Sequence, residues 1–212
     1  MLKDLGLKYG TDKVDEHHTY RGYTYCDIYE KYLGSIRYDV KKFVEIGVKD
    51  ACSLKMFEEY FPNAEIYGID IDPRCKEFES DRIKIFIGDQ NDEMFLIEVR
   101  NAIGEFDVLL DDGSHITKHQ IKSFDILYPN LKSRGFYIIE DLRNSYEEHL
   151  NHHKIRKIWP GMKYNNPKDK LKNYRKDFVN FVETHVKDLD FHKGKSLFSI
   201  HHYPMIIIFE NL

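Results

Sequence analysis

The chemically richest stretch of this sequence is DVLLDDGSH, at residues 107–115. Four largely apolar residues run directly into the carboxylates of Asp111 and Asp112, and His115 follows three positions later. Carboxylates can hold a cation and imidazole can move a proton near neutral pH, so these residue types in this order are typical of a catalytic site. The same side chains can also serve as turn residues or helix caps, and that simpler interpretation stays open here.

Acidic residues recur at the ends of the strand-like runs of this chain. In an open parallel sheet, ligands bind in the crevice beyond the carboxyl ends of the strands. So many carboxylates on one rim would repel one another, and a bound cation or a polyhydroxyl ligand would relieve that repulsion. The acids at these strand ends are Asp70, Asp89, Asp111 with Asp112, and Glu140 with Asp141.

Five short runs rich in Val, Ile, Phe and Tyr predict the buried strands that would carry these acids. Apolar residues three or four positions apart predict amphipathic helices between and after them. Strand and helix alternating in this way indicate right-handed crossovers and a parallel sheet with helices on both faces. The strand runs are 42–48, 64–70, 82–89, 106–112 and 135–141. The helical patterns are Leu54, Phe57 and Phe61 before Pro62; Ile121, Phe124, Leu127 and Leu131; and Leu171, Tyr174, Phe178, Phe181 and Val182.

The last run, SLFSIHHYPMIIIFE at 196–210, contains two strand-like segments separated by Pro204. Because proline cannot donate a hydrogen bond within a central strand, we place the turn there. The sequence therefore predicts a terminal antiparallel pair of strands.

Composition limits the classes of protein to consider. With 212 residues, of which 42% are hydrophobic, the chain fits a single domain at 1–212 with a sizeable core. A net charge of -4 disfavours nucleic acid as a partner. No stretch is apolar enough to predict a membrane span or a secretion signal, so we expect a cytoplasmic protein. Three dispersed cysteines without CxxC spacing favour reduced thiols over a zinc site.

The loop after the first strand run, EIGVKDACSL at 45–54, offers one glycine, Gly47, and lacks the dinucleotide motif GxGxxG. A nicotinamide dehydrogenase is thus disfavoured. Asp70 lies about 20 residues further on, where nucleoside-binding α/β folds present a carboxylate to ribose hydroxyls. The competing interpretation of GIDID is the DxD metal motif of sugar-nucleotide glycosyltransferases, in which Asp70 and Asp72 would bind a cation.

The blocks EIGV…SL…YFPNAEIYGIDID…RIKIFIGDQND and DDGSH…HQIKSF…LYPNLKSRGFYIIEDL…SY resemble the class I S-adenosylmethionine-dependent methyltransferases. Within them the chain is similar to the metal-dependent sugar O-methyltransferases of the macrocin and mycinamicin type, over residues 6–146 and the final strands. The resemblance implies a Rossmann-like α/β fold with a mostly parallel seven-stranded sheet and a terminal antiparallel strand. It also implies that residues 1–40, which include KYGTDK, fold over the cofactor. The usual second glycine of the cofactor loop is replaced here by Ala51 or Cys52.

The resemblance assigns roles to the rim residues. S-adenosylmethionine would be bound at its methionine end by Glu45 and Gly47, at its ribose by Asp70 and near its adenine by Asp89 and Gln90. Asp111 would support this cofactor site, whereas for Asp72, next to Pro73, a helix cap is the favoured role.

The resemblance also predicts a metal site among the acids that follow two neighbouring strands. In this fold the strands that precede Asp112 and the pair Glu140 and Asp141 are neighbours, so their three carboxylates can converge on one Mg²⁺. His115 would be the general base for a sugar hydroxyl, and His119, one helical turn on, would stand behind it.

The segment 149–176 holds nine Lys or Arg residues against one acid, Asp169. We expect a basic flap in which Arg156, Lys157 and Lys163 meet the diphosphate of a nucleotide sugar, a precursor of a surface polysaccharide. The alternative is that the basic segment is only a solvated surface and that the substrate of the protein is a natural-product glycoside. A catalytically silent module with this fold also stays open. The oligomeric state is open as well, a homo-oligomer included.

Overall fold

A computed structural model describes residues 1–15, 19, 21–146, 174–191 and 196–212 of the chain. Within these ranges a seven-stranded sheet has the order β3-β2-β1-β4-β5-β7-β6. β1 to β5 pair in parallel, and β7 runs antiparallel to both β5 and β6. The strands are β1 Lys42–Ile46, β2 Glu65–Asp70, β3 Ile83–Ile87, β4 Phe106–Asp111, β5 Leu131–Ile139, β6 Leu197–Tyr203 and β7 Ile206–Asn211.

Helices cover both faces of the sheet, as the alternation of strand and helix predicts. α1, α2 and α3 share one hydrophobic core with one face, and α4, α5 and α6 share a second core with the other. Because both faces are covered, Val108, Leu109 and Leu110 of β4 are all fully buried. The helices are α1 Leu2–Tyr9, α2 Tyr25–Leu33, α3 Cys52–Tyr60, α4 Glu93–Ile103, α5 Thr117–Leu127 and α6 Tyr174–Asp190. Short 3-10 turns lie at Asp12–Val14, Pro73–Phe78, Tyr128–Asn130 and Leu142–Ser145. Among the described residues, none of the helices combines the length and apolar character of a membrane span.

The terminal antiparallel pair is confirmed, whereas the helix expected to carry Leu131 is shorter than the apolar spacing indicates. α5 ends at Leu127, and Leu131 is the first residue of β5, which also begins four residues before the predicted run 135–141. Pro129 explains the difference, because it has no N–H with which to continue the α-helix, and the chain passes from α5 into the 3-10 turn Tyr128–Asn130. The pattern that predicts α6 is confirmed from Tyr174 onwards, and Leu171 lies outside the described residues.

The sheet order places one crevice at the carboxyl end of β1. β1 pairs with β2 on one side and with β4 on the other, so the direction of the strand order reverses there. Open α/β sheets bind ligands at such a switch point. The loops that follow β1, β4 and β5 therefore meet at the edge where the sequence predicts the acidic residues.

Candidate active site

Two loops approach each other closely at the switch point. Gly47, after β1, has a φ of 97°, and a Cβ built on it would clash with the backbone carbonyl oxygen of Asp112. The backbone N–H of Asp112 donates to the carbonyl oxygen of Ile46 at 2.9 Å, and this hydrogen bond holds the loop after β4 against the end of β1. Only glycine combines this conformation with so close an approach. The loop after β1 thus fixes the position of Asp112.

The loop after β1 keeps its tight turn without a second glycine. Ala51, just before α3, is fully buried and adopts the left-handed conformation with a φ of 59°. Asp70 at the end of β2 accepts backbone hydrogen bonds from Val48 at 2.8 Å and Lys49 at 3.0 Å. The alanine that departs from the family pattern therefore occupies the backbone geometry that a glycine would take.

Three side chains converge in front of these loops. His115 has a φ of 55°, and its Nδ1 lies 3.9 Å from Oδ1 of Asp112 while its Nε2 lies 3.7 Å from Oδ2 of Asp141. One ligand atom from each of the three residues fits within 4.8 Å of the others. Nδ1 of His115 is buried and has no hydrogen-bond partner among the described residues. The two carboxylates fit a small, hard divalent cation, and the unsatisfied imidazole lies directly beside them.

Glu140, the third predicted metal ligand, has different partners in this structure. Its side chain is 2% exposed, and its carboxylate accepts hydrogen bonds from Lys13 and from the Tyr29 hydroxyl. Lys13 Nζ also donates to Oδ2 of Asp112 at 2.6 Å, so the two carboxylates share one ammonium group. The structure therefore brings Asp112 and Asp141 together with His115 and places Glu140 beside them, behind Lys13.

Lys13 is a deeply buried cation at this edge of the sheet. It is 1% exposed, and its Nζ lies 2.9 Å from Glu140 and 3.8 Å from Glu45. Burial acts to lower the pKa of the ammonium, but the charges of Asp112, Glu140 and Glu45 outweigh it and hold that pKa well above its ordinary value. Lys13 is therefore protonated at neutral pH.

Glu45, expected at the methionine end of the cofactor, points into the same buried region. It is fully buried and accepts a hydrogen bond from Ser53 Oγ at 2.8 Å, while its Oε1 accepts no hydrogen bond from the described residues and lies 3.8 Å from Lys13 Nζ. Burial raises the pKa of its carboxyl to about 8, against the opposing effect of Lys13.

Gln90 and Asp111 form one buried unit, although the sequence predicts both at the cofactor. Gln90 Nε2 donates to both carboxylate oxygens of Asp111 at 2.8 Å, and Gln90 Oε1 accepts from the backbone N–H of Ser114 at 2.9 Å. The two side chains are 6% and 0% exposed. Burial raises the pKa of Asp111 to about 6 even though Gln90 opposes the shift. The pair links the loop after β3 to the loop that carries Asp112 and His115.

Replacing Gln90 with alanine should lower the free energy of unfolding by about 1–3 kcal/mol, the range for a buried polar group that loses its partner. The partner left behind is Asp111, whose two carboxylate oxygens would each lose a 2.8 Å hydrogen bond. Urea unfolding of the ligand-free protein measures the change. Asn91→Ala, which removes an exposed amide one residue further on, is the matched control and should change stability by less than about 0.5 kcal/mol. Equal stability of the two variants would contradict the structural role of Gln90.

The remaining predicted residues have separate positions. Asp89 is exposed after β3 and accepts from the backbone N–H of Asn91 at 2.8 Å. Asp72 caps the 3-10 turn Pro73–Phe78 and pairs with Arg74, so the expected helix-cap role is confirmed. His119 Nδ1 lies 3.0 Å from Ser114 Oγ, behind the loop. Arg156, Lys157 and Lys163 of the basic flap lie outside the described residues.

Sequence reasoning overlooked three groups that hold the predicted carboxylates in place. These are Lys13, Tyr29 and Tyr25, whose hydroxyl donates to Oδ1 of Asp141 at 2.9 Å. The one available signal was the KYGTDK block, which the family resemblance places over the cofactor and which ends in Lys13. Nothing in its local pattern indicates a lysine that is buried against acids about a hundred residues away.

Known proteins similar to this chain are methyltransferases. Over 152 residues, 68% of this chain, it is 36% identical to the 8-demethyl-8-alpha-L-rhamnosyl tetracenomycin-C 2'-O-methyltransferase of Streptomyces olivaceus. Over 167 residues, 76% of this chain, it is 33% identical to the mycinamicin VI 2''-O-methyltransferase of Micromonospora griseorubida. The chain spans 38% and 37% of these two relatives. None of the protein-family models matches the chain.

A solved structure extends the similarity to the fold. The MycE methyltransferase of the mycinamycin biosynthetic pathway, in complex with Mg, SAH and mycinamycin VI, superposes with a TM-score of 0.76 at 26% sequence identity. The match covers 99% of this chain and 54% of that one. The seven-stranded sheet with its antiparallel end is therefore the class I methyltransferase fold.

Proposed function

Since the chain has the class I methyltransferase fold and is a homologue of the macrocin- and mycinamicin-type sugar O-methyltransferases, we propose that it transfers a methyl group from S-adenosylmethionine to a sugar hydroxyl with the help of Mg²⁺. One observation carries the proposal. Asp112, His115 and Asp141, from loops after β4 and β5, present ligand atoms within 4.8 Å of one another beside the loop of Gly47.

The cofactor would lie along the carboxyl ends of β1, β2 and β3. Gly47 leaves room for it where the backbone turns, Asp70 would face its ribose, and Asp89 would lie near its adenine. Asp111 and Gln90 support the floor of this cleft through their mutual hydrogen bonds. S-adenosylmethionine supplies the electrophilic methyl group.

Asp112 and Asp141 would hold the metal, with Glu140 as the neighbouring third carboxylate. A divalent cation at this position would neutralise negative charge and acidify a sugar hydroxyl. The protein's own part in the reaction is to hold that hydroxyl in line with the methyl group, since methyl transfer depends mainly on positioning and charge.

His115 is the group we assign to proton removal. Its Nδ1 is buried and faces Asp112, so the neutral ring would carry its proton there and accept the hydroxyl proton at Nε2. Asp141, 3.7 Å from Nε2, would stabilise the imidazolium that results. The left-handed backbone at His115 is the conformation that directs the ring towards both carboxylates.

A glycosyltransferase that uses Asp70 and Asp72 as a DxD metal site fits this structure poorly. A DxD site needs both acids, but Asp72 pairs with Arg74 and caps the 3-10 turn Pro73–Phe78. A silent module would have no need for the converging carboxylates and histidine. Both alternatives therefore lack a supporting feature.

The substrate that we favour is a glycoside rather than a nucleotide sugar for a polysaccharide. The relatives are named for methylating sugars attached to antibiotics, a rhamnosyl tetracenomycin and mycinamicin VI. The one feature that favours a diphosphate is the basic segment 149–176, with Arg156, Lys157 and Lys163 as its predicted contacts.

We expect the protein to methylate an uncharged rhamnosyl or deoxysugar glycoside at least tenfold faster, in kcat/KM, than a nucleotide-linked form of the same sugar. Transfer of labelled methyl from S-adenosylmethionine, followed across a matched panel of the two substrate types, measures this ratio. Because no phosphate contact would be involved, the KM for the glycoside should change little with ionic strength or in Arg156→Ala and Lys163→Ala. A preference for the nucleotide sugar would contradict this and would support the basic flap as the site that binds the diphosphate.

A further inference from the structure

Lys13 joins the amino-terminal part of the chain to the candidate metal site. It belongs to the 3-10 turn Asp12–Val14, between α1 and α2, and reaches carboxylates that follow β4 and β5. An ammonium that is 1% exposed is rare in proteins unless anions surround it. Its surroundings here are the groups that the proposed function assigns to the metal.

Lys13 contacts one carboxylate oxygen of each partner and leaves the second oxygen to a different neighbour. Asp112 gives Oδ2 to Lys13, at 2.6 Å, and turns Oδ1 towards His115. Glu140 gives Oε2 to Lys13, at 2.9 Å, and Oε1 to the Tyr29 hydroxyl. The lysine thus fixes the rotation of both carboxylates, and it leaves one oxygen of Asp112 directed at the side where His115 and Asp141 meet.

The charges of the site lead to the same conclusion. Asp112, Glu140 and Asp141 place three carboxyl groups in a small volume, and the Lys13 ammonium lies between two of them. Any negative charge that Lys13 does not neutralise would favour binding of a divalent cation. Without the ammonium, three carboxylates would repel one another at a partly buried position, which is strongly unfavourable.

We propose that Lys13 is a built-in counter-cation of the metal site, a positioning residue that neutralises and orients Asp112 and Glu140 before the divalent cation binds. The inference rests on the proposed function in so far as it takes these carboxylates as the metal site. It predicts that Lys13 and the metal both neutralise the charge of the same carboxylates. Loss of the lysine should then make the protein depend more on the metal.

The test replaces Lys13 with methionine, which keeps the length of the side chain and removes its charge. With a chelator present, the midpoint of thermal unfolding should fall by about 10 °C, as expected for carboxylates left unpaired in a buried site. Saturating MgCl₂ should raise the midpoint more in K13M than in the unaltered protein. By calorimetry, Mg²⁺ should bind K13M about tenfold more tightly or better, because a nearby positive charge is gone. An equal or smaller Mg²⁺ effect in K13M would overturn the proposal.

A double variant keeps the test decisive if K13M fails to fold. K13M/E140Q removes one charge of each sign, so in chelator it should fold and unfold at a higher temperature than K13M. A double variant no more stable than K13M would also overturn the proposal. Lys76→Met, which removes an exposed lysine paired with Glu79, is the control and should leave both readouts unchanged. The cycle in chelator involves no metal, so its failure is distinct from a failure of the unaltered protein to bind Mg²⁺, which would count against the proposed function.

Discussion

Replacing His115 with alanine should lower kcat for methyl transfer by about 10²–10⁴, the range associated with loss of a general base. The imidazole lies between Asp112 and Asp141, and no other histidine of the described residues has its ring within reach of both carboxylates. Because the side chain is assigned to the sugar hydroxyl and not to the cofactor, the affinity for S-adenosylhomocysteine should stay nearly unchanged. Single-turnover kinetics and calorimetry measure the two quantities separately.

His119→Ala is the matched control for this experiment. His119 lies four residues further along the same segment and contacts Ser114 Oγ, so its loss perturbs the loop without removing the proposed base. We expect its effect on kcat to be less than about tenfold. If His119→Ala is as damaging as His115→Ala, the loop as a whole matters and the assignment of the base to His115 is wrong.

Replacing Asp141 with asparagine should reduce metal-dependent methyl transfer by about 10³-fold, since the charge that would hold the cation is removed while the side-chain shape is kept. Asparagine retains an oxygen that can accept the hydrogen bond from Tyr25, so the fold should tolerate the change. The midpoint for Mg²⁺ activation should rise together with the loss of kcat. Activity titrated with MgCl₂ gives both values.

Asp81→Asn serves as the control for Asp141→Asn, because Asp81 is an exposed acid between β2 and β3, away from the site. It should leave the Mg²⁺ titration unchanged. If Asp141→Asn titrates like the unaltered protein, this carboxylate holds no metal. The metal ligands would then be Asp112 and Glu140 together with groups other than Asp141.

The parts of the site that sequence predicts follow from the geometry of a parallel sheet. Buried strands are recognisable as short apolar runs, and all their carboxyl ends lie at one edge, so acids that follow β4 and β5 must come together. The sequence therefore predicts that Asp112, Glu140 and Asp141 converge, and the family resemblance adds His115 as the base.

The parts that sequence does not predict depend on contacts between distant segments. Lys13 lies 99 residues from Asp112 and 127 from Glu140 along the chain, and a lysine in a polar stretch gives no local sign of burial. The hydrogen bonds of Gln90 to Asp111 and Ser114 likewise join segments that no local pattern links. Leu131 continues a helical spacing, but Pro129 ends that helix first.

The most direct test of the account is methyl transfer by the unaltered protein from labelled S-adenosylmethionine to a rhamnosyl glycoside, measured with a chelator and again after MgCl₂ is added back. The account predicts a methylated sugar, loss of product in the chelator and recovery with Mg²⁺, since Asp112 and Asp141 are arranged to hold a cation beside His115. Methyl transfer that continues at full rate in excess chelator would contradict it.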